Sequence, residues 1–288
     1  MDGVFVLDKP AGITSRAALN LIKHRLPAGT RLGHCGTLDP MATGVLVACL
    51  GRATRLAEFI QALPKVYQGT IHFGATSTTD DADGEITATS HHLPIPEAQV
   101  QEALVGFTGE ILQQPPAFSA IKVQGSRAYD LARRGKAPDL SPRPVFVDSI
   151  TIVGYRWPEL NVEVRCGKGT YIRSLARDLG NQLGCGGYLS FLRRTQIGPF
   201  QTNQSLGLVD IPNDLLPWLL PMRTAVAHLH QQNITADQWR VLSHGQAIDV
   251  DEPGEGFVAF MAGPDQLIGI GLQLGKRCSP RVLLFRNL

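Results

Sequence analysis

One carboxylate stands alone in a stretch shaped for display: Asp39, in the string His34-Cys35-Gly36-Thr37-Leu38-Asp39-Pro40-Met41-Ala42-Thr43-Gly44. Glycines allow tight or positive-φ backbone, and Pro40 biases Asp39 away from helix. The apolar run Val45–Leu50 follows at once. The segment therefore reads as a loop delivering one acid, anchored by a buried strand. Across residues 31–56 the only other charges are Arg31, Arg52 and Arg55. A lone acid among cations should stay ionised and could act as a nucleophile. The same residues also suit ordinary turn chemistry, with the carboxylate bonding nearby N–H groups.

The whole string from His34 to Leu46 closely resembles motif II of the TruB family of pseudouridine synthases, and four further blocks resemble the family in the same order. Leu7-Asp8-Lys9-Pro10-Ala11-Gly12-Ile13-Thr14-Ser15 resembles motif I, read here as a structural turn and helix cap. Lys65-Val66-Tyr67-Gln68-Gly69 resembles the strand that brings a tyrosine against the target base. The segment Arg165–Arg173 resembles the block supplying a second tyrosine, Tyr171, and the arginine partner of the nucleophile, Arg173. Tyr188–Thr195 resembles the last motif, which puts Leu192 at the pocket. Together these blocks span about residues 3–200.

The resemblance implies isomerisation of uridine-55 in the T-loop of tRNA to pseudouridine, with Asp39 as the essential carboxylate and no cofactor or metal. The C1′–N1 bond breaks, the base turns, and C5 joins C1′. Asp39 could attack C1′ or C6, or remove a sugar proton to give a glycal. Burial alone would raise its pKa, so a cation must counter that, and Arg173 is the family's answer. Near a helix N-terminus Arg173 does not serve the helix dipole, which prefers anions there. The resemblance further implies that Tyr67 and Tyr171 sandwich the uracil, that Tyr67 assists at C5, that Leu192 excludes water, and that His34 meets the RNA where the flipped nucleotide leaves its stack. As plain sequence, Tyr67 reads rather as an alternating core aromatic and His34 as a satisfied loop residue.

These residues need a scaffold, and the chain supplies one of mixed type. Val4–Leu7 reads as a buried strand, and Tyr67–Phe73 alternates as a half-buried one. Strands are also expected at 145–155 and 161–166. Thr14 or Ser15 can cap a helix with Ala18, Leu19, Ile22 and Leu26 on one face, and a helix is expected at about Ala53–Leu63, stopped by Pro64. Thr170 can cap another carrying Ile172, Leu175, Ala176 and Leu179, with Gly180 as its stop. Such alternation without a βαβ rhythm gives an α+β class. The resemblance makes it a pseudouridine synthase catalytic domain with a mixed, largely antiparallel sheet and a small β-rich C-terminal PUA-like domain. The proline-rich segment 211–224 is a candidate boundary, so residues 1–222 and 228–288 are the expected domains. The tail is expected to hold a helix at about Thr235–Ser243 and strands at 256–261, 267–272 and 281–285.

The net charge of +2 says little, but its distribution is polarised. Residues 76–121 hold Asp80, Asp81, Asp83, Glu85, Glu97, Glu102 and Glu110 without any Lys or Arg. Residues 122–143 carry Lys122, Arg127, Arg133, Arg134, Lys136 and Arg143. This block falls in an insertion, about 113–143, that in the family closes over the RNA. With Arg193 and Arg194, the cations Lys122, Arg127, Arg133 and Arg134 are the candidates for the RNA backbone. The expected partner is the tRNA T-arm, with no membrane, no obligate protein partner and a monomeric state. Five cysteines without a Cys-x-x-Cys pair suggest neither a disulfide framework nor zinc. The start lacks a signal-peptide pattern, and the expectation is a cytoplasmic, reduced protein. Three rivals remain: a guide-RNA-dependent synthase sharing motif II, an RNA-folding chaperone of the tRNA elbow, and an aspartate-nucleophile hydrolase. The last lacks a paired general acid near Asp39 in the sequence.

Overall fold

Strands that are apolar at every position need cover on both faces, and the two such runs in this chain lie side by side. A computed structural model describes residues 1–90, 93–119, 121–123, 126–134, 140–209 and 211–285. The elements run β1 (Gly3–Lys9), α1 (Ser15–Lys23), β2 (Leu32–His34), β3 (Thr43–Leu50), α2 (Ala57–Ala62), β4 (Lys65–Phe73), β5 (Ala75–Ser77), β6 (Ile86–Ala88), α3 (Glu97–Leu104) and β7 (Gly109–Gln113). Then come β8 (Lys122–Val123), β9 (Ser126–Arg127), α4 (Ala128–Arg133), β10 (Arg143–Arg156), β11 (Glu159–Cys166), α5 (Ile172–Gln182) and β12 (Gly187–Ile197). The last are β13 (Phe200–Gln201), β14 (Leu206–Gly207), β15 (His230–Asn233), α6 (Ala236–Ser243), β16 (Ile248–Ala262) and β17 (Gln266–Leu283).

The central sheet has the order β14-β1-β3-β12-β4-β11-β10-β7, with β2 beside β3. The β1–β14 and β3–β12 contacts are parallel and the remaining ones antiparallel. In β1, Phe5 and Leu7 enter one core while Val4 and Val6 enter another; in β3, Leu46 and Ala48 divide from Val45 and Val47 in the same way. Helices α1 and α5 cover the first side through Leu19, Ile22, Leu175 and Leu179. Phe59 and Ile60 of α2, with Met261 and Leu267 of the tail, cover the second. β4 is half-buried as expected: Tyr67, Ile71 and Phe73 point into the first core and Gln68 is exposed.

Local chemistry explains the helix ends, with some corrections. Thr14 caps α1, its Oγ1 accepting from Ala17 N at 3.1 Å. The helix expected over Ala53–Leu63 is a 3₁₀ segment, Gly51–Leu56, running into α2, although Leu56, Phe59, Ile60 and Leu63 share the expected core. Leu63 is extended, as suits a residue before proline. Thr170 does not cap α5; Tyr171 holds that position, and Thr170 Oγ1 turns back to Gly167 O at 3.3 Å. Gly180 does not stop α5 either. A Cβ there would lie 2.3 Å from the Gly186 backbone, so this glycine serves close packing within the helix.

The tail is a three-stranded sheet, β15-β16-β17, with α6 across it. Thr235 and Gln238 form a capping box at the start of α6. Residues 281–283 do not form a separate strand as expected. The polar break at Gly275-Lys276-Arg277 lies inside β17, where a register shift separates the pairs Gly275–Gly254 and Arg277–Asp249. The proline-rich stretch is packed rather than free: Val4 and Leu220 exchange both backbone hydrogen bonds at 2.9 Å. Among the described residues no helix is long and apolar enough to cross a membrane.

Candidate active site

Asp39 sits between β2 and β3, in a loop bounded by Gly36 at φ 99° and Gly44 at φ 98°. A Cβ on Gly44 would meet the Arg194 carbonyl oxygen at 2.2 Å, so only glycine allows β3 to approach β12 here. Motif I lies beneath the loop and fastens it. Ser15 Oγ donates to Leu38 O at 3.0 Å and accepts from Leu38 N at 2.8 Å. Gly12 N donates to Pro40 O at 2.8 Å. Lys9 is fully buried and donates to the carbonyls of Pro10, Ile13 and Pro40 at 2.8, 2.7 and 3.2 Å. Burial lowers its ammonium pKa to about 8, against the pull of Asp39 and Asp83. The structural reading of motif I agrees with these contacts, and Lys9 is the part of it that sequence reading left without a task.

Arg173 meets Asp39 as expected: Nε lies 3.0 Å from Oδ2. The guanidinium is 3% exposed and has further acceptors. Its Nη1 is 3.1 Å from Asp81 Oδ2 and donates to Thr79 O at 2.9 Å, while Nη2 donates to Phe118 O at 2.9 Å. Asp39 is therefore not a lone acid among cations. Burial pushes its carboxyl above the usual range, Arg173 pulls it back, and Asp81 and Asp83 push it up further. The acidic turn that holds Asp81 is built on Asp80, whose φ is 61°. Asp80 pairs with Arg177 at 2.8 Å, one helical turn after Arg173. Asp81 was missed by sequence reading. The available signal was the pair Arg173 and Arg177 at i, i+4 on a largely buried helix, which calls for two acids.

The residues expected around the base lie together. Tyr67, Tyr171 and Leu192 line a cavity of about 290 Å³ with Asp39. Leu192 is placed by β12, directly opposite Gly69 of β4. Tyr171 is held by Gln113, whose Oε1 accepts from Tyr171 N at 2.7 Å and whose Nε2 donates to Tyr171 O at 3.1 Å. Burial raises both phenol pKa values, so Tyr67 and Tyr171 stay neutral and suit stacking better than proton removal. Lys65, two residues before Tyr67, also lines the cavity and was given no role from sequence.

The remaining expected residues divide: Arg194 lines the cavity and His34 does not. His34 is half-buried in β2 opposite Ala48 and is not among the cavity's lining residues; its Nδ1 has no partner among the described residues. Burial, Arg194 and Arg16 lower its pKa. Arg194 cannot hold an RNA backbone: it is 1% exposed, and donates to Val45 O at 2.8 Å and Gly36 O at 3.0 Å. Arg193, on the opposite face, forms a two-bond pair with Asp8 at 3.0 and 2.8 Å. Lys122 and Arg127 fall in the β8–β9 hairpin and Arg133 ends α4; their side chains lie outside the described residues. Arg134 is exposed. The insertion leaves and rejoins the sheet where Gln113 of β7 pairs with Arg143 of β10.

Comparison with known proteins identifies this arrangement. Residues 23–172 match the profile of the TruB family pseudouridylate synthase N-terminal domain, and residues 173–227 match the tRNA pseudouridylate synthase B C-terminal domain. The chain belongs to the TruB family. Among TruB relatives, tRNA pseudouridine synthase B of Cereibacter sphaeroides is 41% identical over 97% of this chain and 95% of its own length. The protein of that name from a Synechococcus species is 43% identical over 98% of each. A chain in the structure of an H/ACA RNP bound to a substrate RNA containing 2′-deoxyuridine superposes with a TM-score of 0.74 at 26% identity, covering 99% of this chain and 86% of that one. A chain of a Cbf5-Nop10-Gar1 complex gives 0.76 at 27%, with 99% and 85% covered. The fold is the expected α+β one, with a mixed, largely antiparallel TruB sheet and a small β-rich, PUA-like tail.

Proposed function

We propose that this chain is a tRNA pseudouridine synthase that isomerises uridine-55 of the T-loop, with Asp39 as its essential carboxylate. The observation that carries the reading is the Asp39–Arg173 contact of 3.0 Å at a cavity walled by Tyr67, Tyr171 and Leu192. The T-loop uridine lies inside the folded tRNA elbow and must be extruded into that cavity. Tyr67 and Tyr171 stack on the uracil, and Leu192 keeps water from the reactive intermediate. Asp39 acts ionised on the sugar or the base, and Arg173 holds it in that state and orientation. Isomerisation moves one bond without redox change, so the chain's own residues account for the chemistry.

We further assign residues 1–222 to catalysis and 228–288 to a small PUA-like tail domain, and place His34 near the flipped nucleotide's point of exit. Lys122, Arg127, Arg133 and Arg134 contact the RNA backbone from the insertion. The protein works as a cytoplasmic monomer on the tRNA T-arm. Identity above 40% to proteins named tRNA pseudouridine synthase B, against 26–27% to chains of an H/ACA RNP and a Cbf5-Nop10-Gar1 complex, favours the guide-free reading.

Incubation with unmodified tRNA alone, followed by carbodiimide-primer extension, tests this. Pseudouridine should form at position 55 without added guide RNA. Conversion only with a guide, or tRNA refolding without conversion, overturns the reading.

A further inference from the structure

We propose that Lys65 touches the target uracil and holds the negative charge that the base carries once its bond to the sugar is broken; this rests on the uridine-isomerase reading above. Residues 65 and 67 lie two apart on β4 and so point to the same face of the strand. Both line the cavity that contains Asp39. The base that Tyr67 stacks on is therefore within the range of the Lys65 side chain.

Lys65 is 6% exposed, and among the described residues no carboxylate lies within ion-pair distance of it. Its ammonium donates to one acceptor there, Gln61 O at 2.5 Å. An ammonium carries three donors. Lys9 is a useful contrast, since three carbonyls satisfy that buried ammonium and explain it as a fastener. The charged neighbours of Lys65 are themselves cationic: Arg194 on β12 and Lys168 in the loop before α5, with only the Cys166 thiol of β11 working the other way. A buried cation among cations is costly unless an anion or strong acceptor joins it. Burial and those neighbours lower its pKa to about 8.

The reaction supplies such a partner. When C1′–N1 breaks, the electron pair stays on N1 and spreads over the uracil carbonyl oxygens. C1′ is taken up by the Asp39 carboxylate or becomes part of a glycal by loss of the C2′ proton. When C5 bonds to C1′, the Asp39–C1′ bond breaks or, on the glycal route, Asp39 returns the C2′ proton it took up; the C5 proton leaves and N1 gains one. Lys65 stays an ammonium throughout, so no proton is charged to it. Fixed positive charge in a water-poor cavity stabilises such a species much more than it would in water. A backbone phosphate is the less fitting partner, because it remains hydrated at the mouth while this ammonium is buried.

The test compares wild type, Lys65→Ala, Lys65→Arg and Asp39→Asn on unmodified tRNA, measuring affinity and single-turnover rate at saturating enzyme. Lys65→Ala should slow the chemical step roughly 100-fold with affinity little changed, and added ethylammonium should restore part of the rate. In Lys65→Arg the alkaline limb of the rate profile should move upward, because a guanidinium does not deprotonate in that range. This shift also separates Lys65 from Lys9, which has a similar pKa of about 8. A loss confined to affinity marks a phosphate contact and overturns the proposal. So does a slowed step that ethylammonium leaves unchanged with the alkaline limb unmoved. If Lys65→Ala melts early, the Lys65→Arg profile decides alone. Wild-type protein making no pseudouridine, or active Asp39→Asn, refutes the isomerase reading instead; active wild type with unaffected Lys65 variants refutes only this inference.

Discussion

Asp81 lies 3.1 Å from Nη1 of Arg173, a different nitrogen from the one that meets Asp39. One buried guanidinium thus faces two carboxylates. Asp81 is itself anchored, its Oδ1 accepting from Thr79 Oγ1 at 2.5 Å and Asp83 N at 3.1 Å. Arg173 is therefore oriented from behind, and that orientation reaches Asp39.

Asp39→Asn should abolish turnover while tRNA affinity stays nearly unchanged. The fold should not weaken, because burial makes the ionised carboxylate unfavourable in place. Thermal melting and a tritium-release assay check both halves. Turnover within about tenfold of wild type sinks the assignment.

Asp39 should set an acid limb in the pH profile above the ordinary aspartate value of about 3.9, since its carboxyl is raised by burial. Activity is present above that pKa and is lost as pH falls through it. Asp81→Asn removes a charge that pushes Asp39 up, so the limb should move to lower pH. The rate on the plateau should also fall as Arg173 loosens. A limb that stays in place would mean that Asp81 is electrically silent at the site.

Arg173→Lys should cost roughly 100-fold or more in single-turnover rate. An ammonium cannot meet Asp39, Asp81, Thr79 and Phe118 together in the geometry of a planar guanidinium. An unchanged rate contradicts the pairing.

Arg194→Met should destabilise the protein without altering the salt dependence of RNA binding. It leaves the Val45 and Gly36 carbonyls without their donor, at about 1–3 kcal/mol each. A drop of roughly 3–10 °C in melting temperature follows for a chain of this size. A steep change in the salt slope would return Arg194 to the RNA interface.

Charge reversal at Arg133 and Arg134 should weaken tRNA binding and flatten its salt dependence by about 1.4–1.8 in log–log slope, two phosphate contacts' worth. The chemical step on saturated enzyme should change less. Affinity across a salt series for both proteins measures it, and an unchanged slope makes this run a solvated face.

Much of the site was legible because its parts carry local signatures. Gly36, Pro40 and Gly44 announced the loop, the continuous apolar runs of β1 and β3 announced cover on both faces, and the faces of α1 and α5 followed helical spacing. What stayed hidden depended on distant partners. Nothing near Asp81 names Arg173, which is 92 residues away (173 minus 81). Arg193 and Arg194 look alike in sequence, yet neighbours on a strand face opposite ways. The mixed run Tyr188–Thr195 did not declare itself as a strand, so one arginine buried in the core was grouped with the other.

The order in which a ribosome makes this chain has a cost set by the docking of Leu220 on Val4 and by the core that Val4 and Val6 share with Met261, Leu267 and Leu284. The first strand synthesised is sealed by residues that emerge near the end. Until then the side of β1 and β3 that α2 covers only in part keeps apolar surface open, an invitation to association between nascent chains. Removing the tail would leave that part of the surface permanently open, so solubility and yield depend on the tail.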